Sequence, residues 1–272
     1  MVLDLVIWTL NSERHLRRVL NRAVEVVPDS MIGKLIVVDG GSTDRTVKIA
    51  SDLGWRVYVS KKKGIPFQAN LALSHVSSEF FGGFEHDILL ADNYMSLLHH
   101  FKNPNVGVAQ GIRLPTHPVL HAYDWEIYMY QKRKVEDYGI SLDNHIYDTD
   151  FMREIGGFPT DCMIAVDRNL RDRVENNNRR WVIDTKVVSD HIRDSLLRTL
   201  KHDYALLSGI TRKDQLATMG RIGSVLTIPF SALNIMRHTH EPRLFPYLIA
   251  NKLVRIAVIL RRYNLIKQQK HR

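Results

Sequence analysis

One cysteine, Cys162, in 272 residues excludes an internal disulfide and offers no thiolate framework for zinc, so a reducing compartment is expected. Apolar runs long enough to cross a bilayer, which takes roughly 20 residues, are missing as well. Ile222 to Met236 ends after 15 residues and contains Pro229, and Leu244 to Leu260 is broken by Lys252 and Arg255. No basic segment followed by an apolar one precedes the strand-like run Val2 to Trp8, which carries Asp4 inside it. An export signal is therefore not expected, and a cytoplasmic location is. Repeats and low-complexity tracts are absent too, and 44% hydrophobic with 25% charged residues describes a chain that folds rather than one that stays disordered.

Acidic residues are scarce in one region only. The net charge of +9 gathers after Lys186, where Arg193, Arg198, Lys201 and the basic residues that follow have few acidic neighbours. Such an excess points to an anionic partner. Aromatic side chains interleaved with the basic ones, as base stacking requires, do not stand out, so nucleic acid is not expected. A phosphorylated substrate and an anionic membrane surface remain. For the tail, two apolar-rich segments amid positive charge suit helices lying on such a surface, with Ile249, Leu253, Ile256 and Leu260 as one stripe. A helical cap that completes a core fits the same pattern.

What is present in the first half is an alternation of short apolar runs with amphipathic segments, the pattern of an α/β sheet covered by helices. Strands are expected at Leu3 to Trp8, Lys34 to Asp39, Arg56 to Ser60, Phe80 to Phe84 and Val106 to Gly111, with a later one at Trp181 to Val188. Leu16, Val19, Leu20, Ala23 and Val27 recur every three or four residues, which predicts a helix after the first strand. A main domain over 1–208 and a basic helical extension over 209–272 are expected.

Several polar residues punctuate that pattern. The second strand ends in Asp39-Gly40-Gly41-Ser42-Thr43-Asp44 ahead of a helix, and such junctions are where open α/β sheets bind nucleotides. Asp39 there is a ligand for base or ribose, or a turn former. Glu85-His86-Asp87 follows the apolar run that ends at Phe84. In an extended segment Glu85 and Asp87 face the same way and suit one hard cation, Mg²⁺ or Mn²⁺. Asp167 opens an expected helix with Leu170 and Val174 on its packed side; it is either a general base or an acid favoured by the helix dipole. Asp190-His191 ends the late strand, where His191 can complete a metal shell, and Arg193, Arg198 and Lys201 suit phosphate oxygens or a solvated basic helix.

In this order the segments resemble the family-2 inverting glycosyltransferases of GT-A fold, over roughly residues 2 to 205. Ile36 to Thr46 looks like the family's nucleotide-binding strand and turn, with Asp39, Gly41 and Ser42 at the donor. Leu10-Asn11-Ser12-Glu13 resembles its first loop, which places Thr9, Asn11 and Glu13 near the nucleotide. Gly64 to Asn70 resembles the segment along the donor, and both of those end residues are implied there. Phe84 to Leu90 stands in the place of the metal motif, with Glu85 where an aspartate is usual. Gly156-Gly157-Phe158 followed by Val166-Asp167 resembles the acceptor-side motif, with Val166 in place of the usual glutamate and Asp167 as the implied catalytic base. The resemblance implies a nucleoside diphosphate sugar as donor, a lipid-linked, polysaccharide or protein acceptor, and metal at Glu85, Asp87 and His191. A nucleotidyltransferase shares such a nucleotide site, and a non-catalytic sugar-nucleotide binder accommodates the departures at 85 and 166.

Overall fold

The computed structural model describes residues 2–130, 140–161, 166–209, 236–237 and 240–270. Cys162 and all but the last residue of the Ile222 to Met236 run lie outside these described residues. The chain divides into two compact units, Met1–Leu114 with Lys132–Ile192, and Pro115–Gln131 with Arg193–Arg272. The second unit is thus larger than an extension starting at 209, because the helix ahead of that position packs with the tail.

The first unit is built on an eight-stranded mixed sheet in the order β3-β2-β1-β4-β7-β6-β8-β5. Its strands are β1 (Leu3–Thr9), β2 (Ile32–Asp39), β3 (Arg56–Val59), β4 (Phe80–Glu85), β5 (Ile88–Leu89), β6 (Val106–Pro115), β7 (Asn144–Asp148) and β8 (Arg180–His191). β1 pairs in parallel with both β2 and β4, and β2 with β3. β7 is antiparallel to β4 and β6, and β5 antiparallel to β8. The late strand runs beyond Val188 to His191, which carries the histidine onto the sheet.

Side chains alternate across this sheet, and each face has its own core. Leu3, Leu5 and Ile7 pack with Leu16, Val19, Leu20 and Ala23 of α1 (Leu16–Val26) and with Ala50 of α2 (Thr46–Asp52). Val6 and Trp8 face the other way. They join Ala69, Ala72 and Leu73 of α3 (Ile65–His75), Phe151 and Met152 of α5 (Thr149–Glu154), and Val166, Leu170 and Val174 of α6 (Val166–Asn176). Burying a Leu or Val of this kind stabilises the fold by about 1.5–3 kcal/mol each. Gly83 is required at the centre: a Cβ there would stand 2.9 Å from the Tyr147 ring and 3.0 Å from Trp8.

Asp4 is buried inside β1 but does not lack partners. Its carboxylate accepts hydrogen bonds from the backbone N–H of Lys34, Ser77 and Ser78 and from the Ser78 hydroxyl. It therefore ties β1, β2 and the approach to β4 together at the end of the sheet opposite the polar loops.

In the second unit, α4 (Pro118–Tyr130), α7 (Leu196–Gly209) and α8 (Leu244–Lys270) surround Val119, Leu120, Leu244 and Tyr247. The amide of Asn251 donates to Asp203 at 2.9 Å and joins α8 to α7. No helix of the described residues is long and apolar enough to cross a membrane.

Candidate active site

The carboxyl ends of β1, β2 and β4 are neighbours, and the parallel register fixes which residues meet there. Thr9 stands opposite Asp39, and Trp8 opposite Glu85. Asp39 is fully buried, and both its oxygens are engaged: Oδ1 accepts from the N–H of Gly41 (2.9 Å) and Ser42 (2.7 Å), and Oδ2 from the hydroxyls of Thr9 (3.1 Å) and Ser42 (2.5 Å). A carboxylate has about four acceptor positions, so Asp39 is spent on shaping its own turn. Of the two roles open to Asp39 in the sequence, turn former and ligand, these contacts are those of the turn former.

The loops after β1 and β2 are laced together. Asn11, in the left-handed region at φ 49, donates its N–H to Ser42 Oγ at 2.7 Å and accepts from the Thr43 N–H at 2.9 Å. Glu13 accepts from the Arg45 N–H at 3.1 Å, and its own N–H is taken by Asp44. Beneath them the buried Gln68 of α3 donates to the carbonyls of Thr9 (2.7 Å) and Val38 (3.0 Å). Thr9, Asn11, Glu13, Asp39, Gly41 and Ser42 thus form one rim, as their order in the chain suggested.

Gly64 caps α3 at φ 118. Asn70, implied along the donor, is engaged with the backbone of Phe158. Its amide donates to the Phe158 carbonyl at 2.7 Å and accepts from the Phe158 N–H at 2.8 Å. Gly157 adjoins it at φ 71, where a Cβ would stand 2.3 Å from the Asn70 oxygen. Asn70 is therefore the clamp of the Gly156-Gly157-Phe158 turn, with both amide ends occupied.

Glu85 closes β4, but His86 and Asp87 form a turn between β4 and β5. The expected geometry, two acids on the same side of one extended segment, is thereby corrected: the sheet parts here, with β4 held by β1 and β7 and β5 held by β8. That pairing sets Ile88 opposite His191, and the Ile192 N–H donates to the Asp87 carbonyl at 2.8 Å. His191 Nε2 consequently lies 3.2 Å from Asp87 Oδ2, with both residues buried.

Around this couple sits a charge cluster of which only part was anticipated. Arg113 Nε lies 2.7 Å from Oδ2 of the buried Asp143. The Ser141 hydroxyl donates to Asp143 Oδ1, the Gln110 amide to Ser141, and the Trp181 indole N–H to Gln110 at 2.8 Å. Burial, then the charges of Asp143 and Asp87, push the Glu85 carboxyl up to about 8 against the pull of Arg113. The Trp8 indole N–H beside Glu85 also opposes the rise, although it forms no hydrogen bond of standard geometry.

Asp167 is the first-turn acid of α6 and accepts from the Arg168 N–H at 2.8 Å. Burial raises its pKa despite that bond and despite Arg113, with Asp143 adding to the rise. A helix N-terminus alone would lower it. The buried Tyr147 phenol is pushed up by burial and then by the charges of Tyr94, Asp143, Glu85 and Asp167. Glu85, Asp143 and Asp167 all feel one guanidinium, Arg113. Among the described residues no three potential ligands are grouped closely enough to hold an ion; Asp87 and His191 are the pair brought together.

Arg193, Arg198 and Lys201 belong to the second unit. Arg193 donates its N–H to Thr116, and Arg198 pairs with Asp194 at 3.1 Å. An open groove of about 820 Å³ lies elsewhere on the first unit, between α1 and the β5 and β8 tip, lined by Arg17, Arg18, Arg22, Asp92 and Asp190. It holds none of the residues of the rim or the acid cluster.

Asp143 and Gln68 escaped the sequence because nothing local marks them. Ser141-Leu142-Asp143-Asn144 has the composition of an exposed turn, and its burial follows only from the pairing of β7 with β4. Gln68 sits in a helix that shows weak amphipathic contrast.

A parallel half-sheet with a nucleotide-type rim, continued by antiparallel strands that bring acids beside it, defines the GT-A fold. The chain belongs to glycosyl transferase family 2, whose model matches residues 4–173. Among solved structures, the mannosyltransferase PcManGT from Pyrobaculum calidifontis, in complex with GDP-Man and Mn²⁺, is similar over 93% of this chain and 86% of its own, with 16% identity and a TM-score of 0.62. TarS of S. aureus matches 76% of this chain with 17% identity and a TM-score of 0.55, but this chain spans only 39% of it. Glucosyl-3-phosphoglycerate synthase from Mycobacterium tuberculosis, solved with Mn²⁺ and UDP, matches 73% of this chain and 74% of its own at 17% identity and a TM-score of 0.53. No curated protein matches the chain by sequence.

Proposed function

We propose that the chain transfers a sugar from a nucleoside diphosphate sugar to a hydroxyl of a lipid-linked, polysaccharide or protein acceptor, with inversion at the anomeric carbon. The observation that carries this is the gathering of Asp87 with His191, and of Glu85 with Asp167 through Arg113 and Asp143, beside the rim shaped by Asp39. The acceptor oxygen attacks the anomeric carbon as the bond to the diphosphate oxygen breaks. The bonding pair leaves on the diphosphate, and the acceptor proton passes to Asp167. A carboxyl whose pKa is raised by burial is better matched to that task than an exposed aspartate.

The rim from Thr9 to Ser42 would hold base and ribose through groups its own turn leaves unspent, the Asn11 amide Nδ2 among them. Asp87 and His191, with Glu85 alongside, would hold Mg²⁺ or Mn²⁺, which when bound supplies charge compensation for the departing diphosphate. PcManGT and the mycobacterial synthase were solved with Mn²⁺, which supports a metal here. Incubation with a panel of nucleoside diphosphate sugars and Mn²⁺ tests the reaction. Release of nucleoside diphosphate and a product of inverted anomeric configuration by NMR are expected. Release of pyrophosphate from a nucleoside triphosphate would instead identify a nucleotidyltransferase.

A further inference from the structure

Helix α8 turns an apolar face to solvent. Its buried side holds Leu244, Tyr247 and Val258, while Pro246, Ile249, Leu253 and Ala257 are exposed. Steps of three and four residues keep these four on one side of a helix, and Leu253 is 59% and Ile249 39% exposed. A water-facing row on a globular protein is ordinarily polar. Of the stripe Ile249, Leu253, Ile256 and Leu260 expected from the sequence, Ile249 and Leu253 are exposed and Ile256 is half-buried, while the Leu260 side chain lies outside the described residues.

The surroundings indicate what covers it. Residues 193–272 contain 15 Lys and Arg against 4 Asp and Glu, so this segment alone exceeds the net charge of +9 carried by the whole chain. Arg198 and Lys201 of α7 and Arg243 at the start of α8 are exposed. From Pro246 to Ala257 the row is about 17 Å long at 1.5 Å per residue, well short of the roughly 30 Å hydrocarbon core. An apolar stripe too short to span, within a strongly cationic segment, has the chemistry of a helix lying in the plane of an anionic lipid surface.

We infer that the second unit docks on anionic membranes through the Pro246, Ile249, Leu253 and Ala257 face of α8. Ile249 and Leu253 enter the headgroup boundary, and the exposed Arg198, Lys201 and Arg243 meet lipid phosphates. The inference does not depend on the sugar-transfer reaction. It is tested by co-sedimentation of the full chain with vesicles of phosphatidylcholine alone and with about one-third phosphatidylglycerol. Binding to the anionic vesicles at least about tenfold tighter than to the neutral ones, and weakened by about 0.5 M salt, is expected. Leu253→Glu, and Ile249→Glu with it, should each reduce binding without lowering the melting temperature, since both side chains project from the fold. No binding to anionic vesicles, or equal binding to both kinds at any salt, overturns the proposal. A vesicle-free dimer that Leu253→Glu converts to monomer, with no lipid binding, overturns it equally by making the face a contact between two copies.

Discussion

Arg113, partly exposed, forms an ion pair with the buried Asp143, Nε to Oδ2 at 2.7 Å, and the charges of both reach Glu85 and Asp167. Both charges are felt by both acids, with opposite signs. The pair is anchored through Ser141 and Gln110 to Trp181, which ties the loop carrying Asp143 to β6 and β8. Asp143→Asn keeps the shape and removes the charge. It is expected to leave nucleotide-sugar affinity within about threefold while lowering kcat by about 10- to 100-fold, because the reacting groups lose their alignment. Urea unfolding should show a loss of about 1–3 kcal/mol for Asp143→Ala, because the partly exposed Arg113 loses its charged partner.

Asp4 governs the acid stability of the sheet. Burial tends to raise its pKa, but the hydrogen bonds from Lys34, Ser77 and Ser78 outweigh burial and leave it below the ordinary range. A folded-state pKa below the unfolded value, about 3.9, means that the stabilisation is complete above that value and lost as pH falls through the lower, folded one. Asp4→Ala should therefore destabilise the protein near neutral pH and flatten the decline in urea midpoint below pH 4. A variant that declines as steeply as wild type would remove Asp4 from this role.

Asn70→Ala should behave as a lesion of structure. Loss of both hydrogen bonds to Phe158 leaves two buried backbone groups unpaired, at about 1–3 kcal/mol. Thermal melts should fall by several degrees, with donor affinity at low temperature nearly unchanged. A large loss of donor affinity with unchanged stability would return Asn70 to the donor site.

Asp167→Asn separates binding from chemistry. Transfer to a hydroxyl acceptor should fall by about 10²- to 10⁴-fold, the contribution typical of a general base, while sugar-nucleotide binding measured by calorimetry stays the same. Equal losses in both would make Asp167 a binding residue.

Much of this was legible in advance where a local pattern carries the signal. The 3.6-residue period of Leu16 to Ala23, the apolar runs of β1, β2 and β4, and the placement of Asp39, Asp167 and His191 at the ends of elements all survive in the fold. What was not legible depends on pairings distant in the chain. The turn at His86 and Asp87 exists because β5 leaves the neighbours of β4 to pair with β8, more than 90 residues away. The burial of Asp143 depends on β7 crossing antiparallel beside β4, and the clamp of Asn70 on a turn that arrives 88 residues later. Short-range composition assigns such residues to solvent or to ligands, and only tertiary contact reveals their partners.

Thermal denaturation with and without Mn²⁺, across a panel of nucleoside diphosphate sugars, on wild type and Asp87→Ala, probes the proposed site most directly. A ligand bound only by the folded state raises the melting temperature. At least one sugar nucleotide should stabilise the wild type by several degrees, more so with Mn²⁺, and Asp87→Ala should lose the Mn²⁺-dependent part while melting normally without ligand. Identical Mn²⁺-dependent stabilisation of both proteins, or none by any sugar nucleotide, would contradict a site assembled from the β1, β2 and β4 rim and the Asp87 and His191 pair.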